Sequence, residues 1–299
     1  NVFEQALANR RVALADRHPL VAESLLSMGH LLFTLGAVDE AERRYEQAWE
    51  MRKDFYAEDS AMVMEIGCLR GKMMHIFGRY EQSIAHLRLV LEQQMKLKVH
   101  HMLGDFQIAD THFELGEAYQ GLGHYDAARK AYSTALQARR KELGTEQPHP
   151  TIAMNILRLA DTARRVGRIE DATKLVTKGV DTMKASVAPT HHLWGAALVY
   201  QADMQLFAGD YQACLLTVQE AQGVLREHFA EEHHTMGWLQ NTQAECLRRL
   251  DDVELALKAH RSALVTRRGS FGETHVLVLE SVNNVAMTLA WRNRKFCRG

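Results

Sequence analysis

A histidine recurs at His149, His191, His233 and His275, each 42 residues after the one before, and His18 holds the same slot near the start. A fixed period of this length confines a chain to architectures in which one short unit stacks on copies of itself, because a single unit cannot bury its own apolar face. Eleven residues after each histidine stands a small residue: Gly29, Ala160, Ala202, Ala244 or Ala286. Two further units carry Ser60 and Asp105 in the histidine slot, with Gly71 and Gly116 eleven residues on. Seven units are thereby registered.

Seven residues beyond the small residue comes glycine, at Gly36, Gly78, Gly123, Gly167 and Gly209, replaced by Asp251 and Asn293 in the last two units. These are turn residues of the type that accepts a left-handed backbone. Apolar or small residues then follow at steps of three and four, as in Ala41, Tyr45 and Ala48 or Ala128, Tyr132 and Ala135, which is one face of an amphipathic helix. Each unit ends on a bulky apolar residue followed by Gly or Ala, as in Tyr56-Ala57, Leu143-Gly144, Phe229-Ala230 and Phe271-Gly272. The pattern predicts two helices per unit and an all-α chain, and the presence of only 4 prolines agrees with it. Two stretches interrupt the period, with extra residues in Thr145-Glu146-Gln147-Pro148 and between Leu97 and Gly104, where stacked units tolerate insertions.

The units resemble tetratricopeptide repeats, most clearly in Leu115-Gly116, Tyr119, Gly123-His124-Tyr125, Ala128, Tyr132 and Ala135. The ordinary repeat has about 34 residues. A 42-residue form with a lengthened second helix is similar to the repeats of kinesin light chains, and Ala135 to Arg140, His149-Pro150 and Val282 to Ala286 match that form. The resemblance implies a right-handed superhelical solenoid of antiparallel helix pairs. It would run through residues 1–299 with repeats at about 18–59, 60–104, 105–148, 149–190, 191–232, 233–274 and 275–299. Residues 1–15 match a second helix without its first, and Asn293 to Gly299 the start of another, so the natural protein is expected to continue in both directions.

Little in the residues suggests chemistry. No nucleophile elbow, Walker loop or dinucleotide glycine pattern occurs, so no catalytic activity and no cofactor is expected. The pairs His100-His101, His191-His192 and His233-His234 invite a metal. Zinc needs nitrogens at about 2.0 to 2.1 Å, whereas packed helices lie about 8 to 10 Å apart, so histidines recurring once per repeat are read as turn and helix-start residues and not as ligands. Cys68, Cys214, Cys246 and Cys297 are far apart and form no CxxC pair; they read as separate buried thiols in a reducing compartment. Arg10, Arg52, Arg139 and Arg267 recur late in second helices, where the helix dipole favours a cation.

The chain carries 36 basic and 37 acidic side chains, so its overall charge gives no reason to expect nucleic acid. Residues 1–120 hold 13 basic against 18 acidic groups and residues 121–299 the remaining 23 against 19, which directs an acidic partner to the second part. No apolar run is long enough for membrane insertion.

In this fold the first helices of successive repeats line a concave groove. Counting from the small residue, the positions three before and one, four and five after are expected to face it. The candidate peptide-binding set is Leu157, Arg158, Asp161, Arg164 and Arg165, then Phe207, then Asn241, Glu245, Arg248 and Arg249, and finally Asn283, Asn284 and Trp291. Asparagine can pair with an extended backbone, arginine with carboxylates, and an aromatic ring can anchor an apolar side chain. The kinesin light chain resemblance implies a peptide ligand with acidic residues around an apolar anchor, held partly by asparagines at positions resembling Asn241, Asn283 and Asn284. Cys68, Phe113 and Val199 stand in that slot in other units. The competing reading of Arg164-Arg165 and Arg248-Arg249 is a solvated face. The function expected is a protein-interaction scaffold or adaptor within a larger chain or complex, cytoplasmic and linked to the cytoskeleton, a motor cargo or a cilium. The alternatives are an architectural subunit of a large assembly and the sensor arm of a signalling NTPase.

Overall fold

The computed structural model describes residues 2–57, 60–99, 104–144, 147–230 and 233–296. Every regular element among them is an α-helix: α1 (Val2–Leu14), α2 (Pro19–Thr34), α3 (Val38–Phe55), α4 (Ala61–Ile76), α5 (Tyr80–Val99), α6 (Asp105–Gly121), α7 (Tyr125–Leu143), α8 (Pro150–Arg165), α9 (Ile169–Ser186), α10 (His192–Ala208), α11 (Tyr211–Arg226), α12 (His234–Arg249), α13 (Val253–Phe271) and α14 (Val276–Phe296). They form two compact units, Asn1–Thr145 and Glu146–Gly299. In the first, α1 leads into the antiparallel pairs α2–α3, α4–α5 and α6–α7; in the second, α8–α9, α10–α11 and α12–α13 lead into α14.

Each pair closes on the small residue of its first helix. A β-carbon on Gly29 would stand 2.5 Å from the Tyr45 ring, and one on Gly71 or Gly116 closer still to Leu87 or Tyr132. The partner lies sixteen residues downstream in all three. Where the small residue is Ala160, Ala202 or Ala244, the residue at that distance is Val176, Val218 or His260. A larger side chain on the second helix (Tyr45, Leu87, Tyr132) therefore goes with the loss of a methyl on the first, and a smaller one (Val176, Val218) with its presence.

The histidine slot proves to be a helix cap. His18, His149, His191, His233 and His275 each accept, at Nδ1, the backbone N–H two residues on, at 3.1 to 3.3 Å. Ser60 does the same work for α4, its Oγ accepting from the Val63 N–H at 3.3 Å. Asp105 is not a cap; it is the first residue of α6 behind Gly104 and is ion-paired to Lys98 and Lys141. At the other end of the first helices, Gly36, Gly78, Gly123, Gly167 and Gly209 all have positive φ, and Asp251 adopts φ 72° in the same place. The slot at Asn293 departs from the pattern, because α14 runs through it to Phe296 where the period expects a turn.

Two sequence readings are corrected. The recurrent arginines do lie late in second helices, but the helix dipole is not their main partner. Arg52, Arg139 and Arg267 are buried, and a buried guanidinium has to be met by acceptors. Arg52 donates from Nη1 to Met62 O and Glu65 at 2.7 Å each, reaching the first helix of the next repeat. Arg267 repeats this with Leu277 O, Glu280 and Ser281, as does Arg10 with Leu20 O, Glu23 and Ser24. Arg139 instead donates to Asp110 of α6. The second correction concerns Cys214 and Cys246, which are fully buried and joined in a disulfide between α11 and α12, with Cα atoms 6.9 Å apart. Stacking brings them together across 32 residues of sequence. Cys68 is a partly buried free thiol. Cys297, His100-His101 and the interrupting residues 100–103, Thr145 and Glu146 lie outside the described residues.

The size exchange at the pair contact is open to test. Gly29→Ala should cost about 1 to 3 kcal/mol through overpacking against Tyr45. In Tyr45→Val the same alanine should cost less or nothing, reproducing the Ala160/Val176 pairing. Urea unfolding of the two single variants and the double one reads the coupling; simple additivity would show that Gly29 is small for another reason.

Candidate peptide-binding surface

Within the second unit the side chains predicted to face a groove divide into three groups. Leu157 is fully buried, as is Val199 in the same slot of α10. Leu157 packs on Gly179 of α9 and so belongs to the core, a correction to its predicted place on the surface. Asn241 and Asn283, three before their small residues, do stay at the surface. Asn284 donates to Asn241 Oδ1 at 2.9 Å, tying α14 to α12, and Asn283 lies near the Met287 sulfur at 3.5 Å.

The second group is a charge trio, built twice. On α8, Asp161 receives Arg164 at 2.6 Å and Arg165 at 3.0 Å; on α12, Glu245 receives Arg248 at 2.5 Å and Arg249 at 3.1 Å. The carboxylate comes one residue after the small residue and the arginines four and five after, so all three share a helical face. Burial pushes the Asp161 carboxyl up, but Arg165 and Arg164 outweigh it and hold it below the usual range. Glu245 is likewise lowered, its hydrogen bonds to Arg248 and Arg249 prevailing over burial. Each trio therefore carries one net positive charge. Arg248 lies over the Trp291 ring at 5.9 Å and Arg158 over Tyr200 at 5.7 Å.

The third group is the position five after the small residue. Here Arg165, Phe207, Arg249 and Trp291 follow one another on α8, α10, α12 and α14, with 43% and 52% of the arginine side chains and 53% and 44% of the aromatic residues exposed. A cation and an aromatic ring alternate along this row. Together the three groups offer paired positive charge, apolar contact area and amide groups on neighbouring first helices.

Models of the tetratricopeptide repeat match residues 21–55 and 109–141. The chain contains tetratricopeptide repeats. Two Arabidopsis thaliana proteins, KINESIN LIGHT CHAIN-RELATED 3 and KINESIN LIGHT CHAIN-RELATED 2, are each 24% identical to it, over 170 and 173 residues. Those stretches cover 57% of this chain and 25% of either relative, so the match spans about a quarter of their length. Among solved structures, the nearly identical repeats of a Podosopora anserina protein assigned as a kinesin light chain superpose with TM-score 0.50 at 18% identity, covering 70% of this chain and 97% of that one. A Rap protein complexed with Competence and Sporulation Factor gives 0.65 at 12%, covering 96% and 80%. BtubC of P. vanneervenii gives 0.55 at 16%, covering 76% and 92%. At these identities the likeness shows the fold.

The repeat protein also has a polar bridge that sequence reasoning missed. Asp203 on α10 accepts from Trp238 Nε1 at 3.0 Å and Thr242 Oγ1 at 2.7 Å, both on α12. Trp238 and Thr242 are one helical turn apart, so both reach the same carboxylate. The signal was present in the 42-residue recurrence of an acid at Asp161, Asp203 and Glu245. Burial raises the Asp203 carboxyl to about 6 despite those hydrogen bonds and nearby Arg164. The first unit uses the same positions for packing. Its first-helix row holds a largely buried His75–Glu114 pair at 2.8 Å. Phe113 sits edge-on to Tyr132, and burial pushes the Cys68 thiol up.

A raised carboxyl means that the folded state prefers the protonated form, so Asp203 should lower stability as pH rises from about 4 through about 6. Asp203→Asn removes that titration. The stability difference between variant and parent, followed by urea unfolding at each pH, should shift in favour of the variant across this window and level off above it. A difference independent of pH would mean that Asp203 is ionised at no cost.

Proposed function

We propose that this protein is a non-catalytic interaction scaffold whose second unit holds an acidic peptide segment with an apolar anchor along its row of first helices. The observation that carries the reading is the alternating row of Arg165, Phe207, Arg249 and Trp291. An extended chain lying across the helices would meet a cation, a ring, a cation and a ring in turn. The net positive charge of each trio favours carboxylates, while Phe207 and Trp291 supply contact area of the kind that dominates binding energy. Asn241 and Asn283 supply amide groups for pairing with the backbone of such a segment.

The likeness to kinesin light chain-related proteins supports a partner within a cytoskeletal or motor-linked assembly in the cytoplasm. A Rap protein of similar fold is complexed with Competence and Sporulation Factor, which supports ligand binding by a stack of this kind. No helix among the described residues is long and apolar enough to cross a membrane.

The test uses an array of acidic peptides, each with a single Trp or Leu, read by fluorescence anisotropy at two salt concentrations. Arg165→Ala with Arg249→Ala should weaken the best binder by about tenfold or more and flatten its salt dependence. Phe207→Ala should weaken it without changing the salt dependence, and helicity should be preserved in both. A peptide that binds equally to all three proteins would discard this surface, as would the absence of any binder in the array.

A further inference from the structure

The capping histidines of the second unit do more than start helices. His233 is 4% exposed and lies flat on Phe229, ring centres 4.0 Å apart and planes within 8°. His191 stacks on its neighbour His192 at 4.4 Å, and His192 meets both His228 and Phe229 at 5.7 Å. The start of α10, the end of α11 and the start of α12 thus meet in a cluster of imidazoles, two of which are caps. His228 adds a 2.6 Å hydrogen bond to Thr190 O, closing the turn before α10.

A cap of this kind works in one protonation state only. The Nδ1 lone pair of His191 or His233 accepts a backbone N–H, so the ring proton must reside on Nε2. A second proton turns the acceptor into a donor aimed at another donor, at the helix end where the dipole opposes positive charge. The described groups that face His233 are Phe229 from the end of α11, His234 beside it and His192 from the start of α10; those that face His192 are His191, His228 and Phe229. None of His191, His192, His228 and His233 has a carboxylate partner among the described residues. Among the described residues, protonation would therefore set cations against one another.

We propose that this joint is acid-sensitive, and that protonation of His233 releases the cap of α12 and loosens the contact between successive repeats while the helices persist. Burial, and then neighbouring imidazoles, hold His192 below the ordinary histidine value and bring His233 to about 4. Because the folded value is depressed, the stabilisation is complete above about 6.5 and is lost as pH falls toward 4. The device stands whatever the partner, but α12 carries Asn241, Glu245 and Arg248, so its loosening would reach the proposed binding row. Repeat stacks can carry such a switch because each joint involves only nearest neighbours.

The chain contains its own control, since α4 is capped by Ser60, which does not titrate. Hydrogen exchange of the full chain at pH 7.0 and 4.5, corrected for the intrinsic rate, should show first-turn amides of α12 losing about tenfold or more of their protection while those of α4 keep theirs. His233→Ser should abolish the difference, because serine caps in either condition. Equal protection of α4 and α12 at both pH values would overturn the proposal, as would a serine variant as acid-sensitive as the parent. Should that variant fail to fold, 15N shifts of the His233 imidazole decide: an Nδ1 that remains an acceptor while the α12 amides lose protection would assign the loss elsewhere and overturn the proposal.

Discussion

The close approach of each first helix to its second sustains the rest of the structure. Only a residue with no side chain or a methyl leaves room for the residue sixteen positions on, and the two have exchanged volume within this one chain: Gly29 with Tyr45 and Gly116 with Tyr132, but Ala160 with Val176 and Ala202 with Val218. The recurrent arginines then join pair to pair. Arg10, Arg52 and Arg267 each reach ten residues ahead to a carbonyl and thirteen ahead to a glutamate, so a single side chain meets a backbone acceptor and an acid of the following unit. Breaking such a buried arrangement on one side leaves an uncompensated charge, which is why it reads as an alignment device between repeats.

With the frame held in this way, the side chains of the first helices are released for other work, and the two units use that freedom differently. In the first unit the row is spent on internal contacts, with His75 on Glu114 and Arg139 on Asp110 and over Phe113. In the second, the carboxylates Asp161 and Glu245 hold arginine pairs in place without neutralising them, and the next residue outward alternates between cation and ring. A fixed arginine loses less freedom on binding than a waving one, so the trio acts as preorganisation and not merely as a surface ion pair.

Much of this was legible before any coordinates. The 42-residue period placed the helices and turns, and the glycine slots turned out to be those with positive φ. The Asn241–Asn284 and Arg248–Trp291 contacts fall among residues already chosen from their register. What failed was instructive. The arginines were read as helix-end charges because a linear sequence displays the helix each one leaves and not the carbonyl it reaches. Leu157 was placed at the surface on register alone, whereas the apolar occupants of its slot, Leu26, Leu157 and Val199, are buried and the asparagines Asn241 and Asn283 are not. Asn293 carried the turn signal of its slot, yet α14 continues through it, since asparagine permits a turn without imposing one.

By itself the sequence determined the unit, its length, its two helices and the residues that must be small, because these follow from local periodicity and from contacts within about sixteen positions. The tertiary structure alone decided which long-range partners meet: Cys214 with Cys246, Asp203 with Trp238 and Thr242, the capping imidazoles with the rings of the preceding helix. Those contacts join different repeats, and their geometry depends on how one pair rotates onto the next. That rotation is the sum of many small packing choices, none of which leaves a mark in the period.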